Sequence, residues 1–172
     1  MAGPDREIAA AIAERAAGAG IELVASLPDG WIAALIEEFE ADARFDHIPV
    51  NREESAIGLC SGAFFGGRGS LALMGASGLM TCIYAITKIN YTYMVPMTIF
   101  ITMRGRLGDR AKFHVSNGLY LEPVMQSIDL PYTVIDRRDG LDEIGRAVAH
   151  SRTISRPVVV GFTRDLLYGE SG

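Results

Sequence analysis

At 172 residues, with 49% hydrophobic and 22% charged side chains, the chain is long enough for one compact domain with a full core and too apolar for a disordered segment. Its net charge of −5, with lysine and arginine scattered along the chain, excludes a nucleic-acid footprint. Two cysteines, Cys60 and Cys82, lie in apolar helix-like stretches; too few for a disulfide framework or zinc site, they read as buried, reduced thiols of a cytoplasmic protein.

In chain order, Asp5 to Ala17 is Ala-rich with early acids and predicts a first helix; its charges leave no export signal over Met1 to Glu14. Ile21 to Ser26 reads as a short strand ending in the turn Leu27-Pro28-Asp29-Gly30. Trp31 to Glu40 follows as a helix with Ile32, Leu35, Ile36 and Phe39 on one face. Asp46 to Val50 is a second strand, and Glu53 to Phe65 a helix rich in Ala and Gly.

Gly69 to Thr87 carries no charge over 19 residues, which is long enough on paper to span a bilayer. The turn chemistry of Gly75-Ala76-Ser77-Gly78 divides it into a strand, Ser70 to Met74, and a helix, Leu79 to Asn90, so no membrane span is expected. Met97 to Met103 is apolar throughout, as in a strand buried on both faces. Arg104 to Gly118 reads as a loop longer than most, a length associated with function. A helix from Tyr120 to Ile128, a strand from Tyr132 to Ile135, a helix from Leu141 to Ser151 and a strand from Pro157 to Phe162 complete the chain. Six strands alternating with about six helices predict an α/β fold: a single doubly wound domain over residues 1–172, with a six-stranded parallel sheet flanked by helices.

In such a sheet, ligands gather at the carboxyl ends of strands, which selects Asn51-Arg52-Glu53-Glu54, Gly75-Ala76-Ser77-Gly78 and Arg104-Gly105. Neither the dinucleotide fingerprint nor a phosphate loop is present. Taken alone, Glu53 and Glu54 have a second reading, as acids favoured in the first turn of a helix by its dipole. Arg104 fits either a grip on an anionic substrate or a strand-end cap. His114 fits either a proton donor or acceptor near substrate or a surface-loop histidine, while His47 and His150 read as structural.

The order of these segments resembles the pyrimidine-binding domain of thiamine diphosphate enzymes. It most resembles the small (alpha) subunit of two-subunit sulfopyruvate decarboxylases and the matching half of phosphonopyruvate decarboxylases. The matching positions are Arg52-Glu53, the small-residue helix Gly58 to Gly66, Ala76-Ser77-Gly78-Leu79-Met80-Thr81, Arg104-Gly105, His114 with Gly118, and Leu121 to Ile135. The resemblance implies the pyrimidine-type thiamine diphosphate-binding fold and a 2-oxo acid decarboxylase, a carbon–carbon lyase. In that family a Glu hydrogen-bonded to N1′ of the aminopyrimidine favours the imino form that takes the thiazolium proton. The resemblance implies that Glu53 takes this role here, that Ser77, Gly78 and Leu79 line the cofactor, and that Arg104 and His114 face the substrate, His114 also as a catalytic group.

The family binds the cofactor's diphosphate through Mg2+ held by Gly-Asp-Gly and a later Asn. Asp29-Gly30 follows Pro28, Gly108-Asp109 precedes Arg110, and no Asn follows Asn117, so this chain has no such motif and no metal ligands of its own. The resemblance therefore implies a separate diphosphate-binding (beta) subunit carrying that motif and an α2β2 or larger assembly. In the family's Asn-Ser-Gly-Leu-Gly-Asn loop, both Asn and the second Gly are replaced here, by Ala76, Thr81 and Met80, and Phe113 stands where relatives tend to have Gln. These changes imply a more apolar pocket and leave the identity of the 2-oxo acid open. Three alternatives remain: a thiamine-dependent carboligase subunit of a biosynthetic pathway, a non-catalytic scaffold or regulatory paralogue, or an unrelated flavodoxin-like binding domain.

Overall fold

The computed structural model describes residues 3–107 and 109–169; Met1 and Ala2 of the N-terminal segment and Gly108 of the long loop lie outside the described residues. The element order is α1 (Arg6–Gly18), β1 (Leu23–Ser26), α2 (Ala33–Ala41), β2 (Asp46–Pro49), α3 (Glu53–Phe65), β3 (Ser70–Met74), α4 (Ala76–Thr81), α5 (Ile83–Ala85), a π-helical turn (Ile86–Tyr91), β4 (Met97–Thr102), a 3-10 turn (Lys112–His114), α6 (Val115–Ser127), β5 (Tyr132–Ile135), a 3-10 turn (Arg138–Asp142), α7 (Glu143–Ile154), β6 (Pro157–Phe162) and α8 (Arg164–Tyr168). The start of α1 is fixed by Asp5, whose carboxylate accepts from the amides of Glu7 at 2.9 Å and Ile8 at 3.1 Å, a cap worth about 1 kcal/mol.

All strand pairings are parallel and the order is β2-β1-β3-β4-β6-β5, a doubly wound sheet. Side chains alternate across it with the period of two that extended chain imposes. Val24, Leu71, Leu73, Phe100 and Val160 join a core under α1, α2 and α7. Ala25, Ala72, Met74, Ile99 and Ile101 join a second core under α3, α4 and α6. The edge strand β2 is short, charged at Asp46 and mostly exposed, features that discourage edge-to-edge pairing. From β1 the chain steps to β2 and then crosses back to β3 on the other side of β1. The carboxyl ends of β1 and β3 therefore flank the topological switch point, where ligands of open α/β sheets bind.

Three segments depart from expectation. Gly75-Ala76-Ser77-Gly78 is no turn ahead of a helix: Gly75 is the N-cap and α4 begins at Ala76, because small residues are as compatible with a tightly packed first helical turn as with a loop. The helix expected from Tyr120 begins five residues earlier, at Val115, since Gly118 serves close packing rather than a chain break. The short α8 was not anticipated. The uncharged stretch from Gly69 to Thr87 divides into β3 and the α4–α5 segment, and among the described residues no helix is long and apolar enough to cross a membrane.

Candidate functional site

Strand β2 ends at Pro49 and α3 starts at Glu53, so the carboxyl edge of the sheet delivers Glu53 and Glu54 together on the first turn of a helix. They point apart. Glu54 turns to Arg52, with Oε1 3.5 Å from Nη2, and its backbone amide and that guanidinium hold its carboxyl below the usual range. Glu53 turns inward onto α4. A Cβ added at Gly78 would fall 2.5 Å from its Oε1 and 2.8 Å from its Cδ, so only glycine admits the side chain there. Among the described residues, the half-buried Glu53 carboxylate has neither a hydrogen-bond donor nor an ion-pair partner.

The same close approach recurs at the switch point. A Cβ at Gly75 would lie 2.5 Å from Oδ2 of Asp29, three residues beyond the end of β1. Asp29 Oδ1 accepts from the Trp31 amide at 2.9 Å and from Arg104 Nη2 at 2.5 Å. The Asp29 and Arg104 side chains are only 16% and 13% exposed, so this is a buried ion pair, costly to leave half-made. The Arg104 guanidinium also stacks 4.7 Å from the centre of the Trp31 ring and reaches Nε2 of His114 through Nη1. Nδ1 of His114 lies 2.7 Å from Asp109 Oδ2, and Trp31 meets the imidazole edge-on at 5.6 Å. Asp29, Arg104, His114 and Asp109 thus form one buried chain. Burial pushes the Asp109 carboxyl up, but the amides of Gly105 and Ala111 together with His114 outweigh it and hold it below the usual carboxylate range.

Further contacts join the two halves. Thr102 Oγ1 accepts from the Ala76 amide at 3.3 Å and from Arg104 Nε at 3.4 Å. Ser77, exposed at the start of α4, donates through Oγ to Oδ1 of the buried Asn117 at 3.1 Å. Leu79 is fully buried in the core beneath α3, α4 and α6. Gly105 adopts a φ of +74°, and a Cβ there would sit 2.5 Å from the Gly118 amide nitrogen. That backbone contact accounts for the pairing of Arg-Gly with a glycine four residues after His114.

The structure therefore brings Glu53, Ser77, Gly78, Arg104 and His114 to one edge of the sheet, with Leu79 just inside it. His114, at 5% exposure, is no surface-loop histidine, and Arg104 does more than cap a strand. Asp29, Trp31, Asp109 and Asn117 were not singled out from sequence. Asp29 was legible only as part of a Pro-Asp-Gly turn, although its position after β1 at the switch point was a usable signal. Cys60 and Cys82 are free and buried, and burial pushes each thiol up to about 12, where it is inert at neutral pH. Among the described residues no group of three or more His, Cys, Asp or Glu is placed to hold a metal ion.

The chain matches no protein-family model. It is similar to the sulfopyruvate decarboxylase alpha subunit of Methanococcus maripaludis, 34% identical over 113 residues that make up 66% of this chain and 68% of the relative. The alpha subunit from Methanocaldococcus jannaschii is 30% identical over 151 residues, covering 87% of this chain and 88% of the relative. The phosphonopyruvate decarboxylase of Streptomyces viridochromogenes is 26% identical over 136 residues, 78% of this chain but 34% of that longer protein. Among solved structures, 2-oxoglutarate:ferredoxin oxidoreductase from Magnetococcus marinus superposes over 98% of this chain and 30% of its own, with a TM-score of 0.70 at 14% identity, a likeness of fold alone.

Proposed function

Because this chain belongs to the family of sulfopyruvate decarboxylase alpha subunits, we propose that it is the pyrimidine-binding subunit of a two-subunit, thiamine diphosphate-dependent 2-oxo acid decarboxylase. The observation that carries the reading is the Glu53 carboxyl lying unpartnered against Gly78, while Asp29, Asp109 and Glu54 all have partners. An acid held free of protein donors beside a missing side chain suits a flat heteroaromatic ring with a basic nitrogen, so the residues fit the aminopyrimidine. When bound, thiamine diphosphate supplies the nucleophilic carbon and the electron sink for loss of carbon dioxide.

The chain's own residues have the following parts. Glu53 holds a proton at the ring nitrogen, general acid–base work from a rigid helix start. Gly78 and Ser77 give the ring its close wall, and Leu79 shapes that wall from the core. Arg104, stacked on Trp31 and held by Asp29 and His114, presents a fixed cation to the anionic group of the 2-oxo acid. His114 lies where it borders that substrate.

A partner subunit supplies the diphosphate and Mg2+ site, a reading supported by the relatives' being named alpha subunits. Exposed Phe113, Val115, Leu119 and Tyr120 next to His114 form an apolar rim suited to burial against that partner. Phe113, whose ring centre is 4.4 Å from that of His114, favours a substrate with more apolar surface than a sulfonate offers.

The reading is tested by mixing this chain with a diphosphate-binding subunit that carries Gly-Asp-Gly and a later Asn. Carbon dioxide release from a panel of 2-oxo acids is then measured with and without thiamine diphosphate. Release only when both chains and the cofactor are present is expected. Equal release without the cofactor sinks the reading, and binding of the two chains with no turnover of any acid moves it to a scaffold role.

A further inference from the structure

Asp109 sits at the centre of the loop that links β4 to α6, and both oxygens of its carboxylate are engaged. Oδ2 accepts from the Gly105 amide at 2.8 Å and meets His114 Nδ1 at 2.7 Å, while Oδ1 accepts from the Ala111 amide at 3.0 Å. The side chain is 8% exposed and that of His114 6% exposed, so neither contact is a surface accident. On the far side of the imidazole, Nε2 faces Nη1 of Arg104. A guanidinium has donors only, so Nε2 must accept and the ring proton must reside on Nδ1, where a carboxylate is ready to receive it. The two neighbours dictate the same tautomer from opposite sides.

We propose that Asp109 is a positioning residue: it fixes His114 as the neutral Nδ1–H tautomer, so that Nε2 accepts from Arg104 and aims the guanidinium between Asp29 and the Trp31 face. Arg104 is then held by a carboxylate, an imidazole lone pair, the Thr102 hydroxyl and an aromatic face, which leaves the second N–H of Nη1 and of Nη2 for a ligand. Without Asp109, His114 loses the acceptor that selects its tautomer. A proton on Nε2 would then oppose the Arg104 donor, and the guanidinium would swing off its line. That Arg104 meets an anionic substrate rests on the function proposed above; the tautomer of His114 does not.

The test begins with long-range proton–nitrogen NMR spectra of the full chain alone, the signals of the three histidines being assigned by His47→Gln, His114→Gln and His150→Gln. Wild-type His114 is expected to carry its proton on Nδ1, Asp109→Ala to lose that preference, and Asp109→Asn to keep it, because an amide oxygen can replace Oδ2. A wild-type His114 protonated on Nε2, or on both nitrogens at pH 8, overturns the proposal even if Asp109→Ala does not fold. An unchanged tautomer in folded Asp109→Ala overturns it as well. In the complex with the partner subunit, Asp109→Ala should raise KM for the 2-oxo acid by about tenfold or more with a smaller change in kcat, and Asp109→Asn should stay within about threefold of wild type. Equal losses of kcat in both variants with KM unchanged would mark Asp109 as structural only. If the complex shows no thiamine-dependent turnover, the proposed function fails while the spectra still decide the role of Asp109.

Discussion

Glu53 and Gly78 occupy each other's space: the carboxyl fills the volume where any larger residue at 78 would place its Cβ, 2.5 Å from Oε1. Gly78→Ala should therefore separate two properties that usually fall together. In the short helix α4, alanine is intrinsically favoured over glycine by about 1 kcal/mol, and the collision is with a rotatable side chain, so the melting temperature should hold or rise. Cofactor-dependent turnover of the complex should fall by about 10²-fold, because Glu53 must rotate out of line. Retained activity with raised stability would detach Gly78 from the cofactor site.

The two adjacent glutamates allow a matched comparison. Glu53→Gln keeps volume and removes the acid, and should lower thiamine-dependent decarboxylation by about 10²- to 10⁴-fold with little change in stability. Glu54→Gln, on a side chain turned outward to Arg52, should stay within about threefold. Steady-state kinetics of the two variants in the same complex checks this. Similar losses in both would mean that the helix N-terminus, rather than one carboxyl, supports the reaction.

Much of this architecture was legible in the sequence because its signals were local. Ser70–Met74, Tyr132–Ile135 and Pro157–Phe162 begin and end where their apolar runs do, and α3 spans the expected Glu53–Phe65. What stayed hidden was set by distance or by ambiguous chemistry. Asp29 reads as an ordinary turn acid until the sheet brings Arg104, 75 positions away, to 2.5 Å. The glycines of Gly75-Ala76-Ser77-Gly78 look like a chain break, yet their use is to let Asp29 and Glu53 lie against α4. Likewise, that Glu53 and not Glu54 faces inward depends on the rotation of α3 against α4, which neighbouring acids cannot specify.

The Asp29–Arg104 pair should behave as a buried unit. Arg104→Met leaves a desolvated carboxylate, and Asp29→Asn leaves a desolvated guanidinium beside Trp31, each costing roughly 3 kcal/mol in denaturant unfolding. The double variant should cost less than the sum, with a coupling of about 1–3 kcal/mol. The double variant should therefore be little or no less stable than the worse single variant, while KM for the 2-oxo acid stays high, since the cation is gone. Strict additivity of the two losses would show the pair to be uncoupled.

Gly105 and Gly118 carry a different constraint, backbone against backbone. Gly105→Ala combines a φ of +74° with a Cβ 2.5 Å from the Gly118 nitrogen, and neither atom can be rotated away. A loss of about 2–4 kcal/mol is expected by chemical denaturation, together with faster proteolysis within the loop from Arg104 to His114. An alanine at 105 that leaves both unchanged would contradict the close packing of the loop on α6.

His47 gives the pH dependence a sign that can be worked out in advance. Its ring bonds Ser26 at 2.8 Å across the β1–β2 edge, and burial lowers its pKa from the ordinary value, only partly offset by the charge of Glu40. The unfolded chain therefore binds the proton more readily than the folded one near the unperturbed pKa of about 6.5. Its contribution to stability is fully present above that value and is lost as pH falls through the depressed folded-state pKa. Urea unfolding at pH 7.5 and pH 5 should show a smaller loss on acidification for His47→Gln than for wild type, since glutamine can still bond Ser26 but does not titrate. Parallel losses in both proteins would assign the acid sensitivity elsewhere, and the carboxylates whose pKa values lie below the usual range, Asp109 first, titrate too low to account for a change that begins above pH 5.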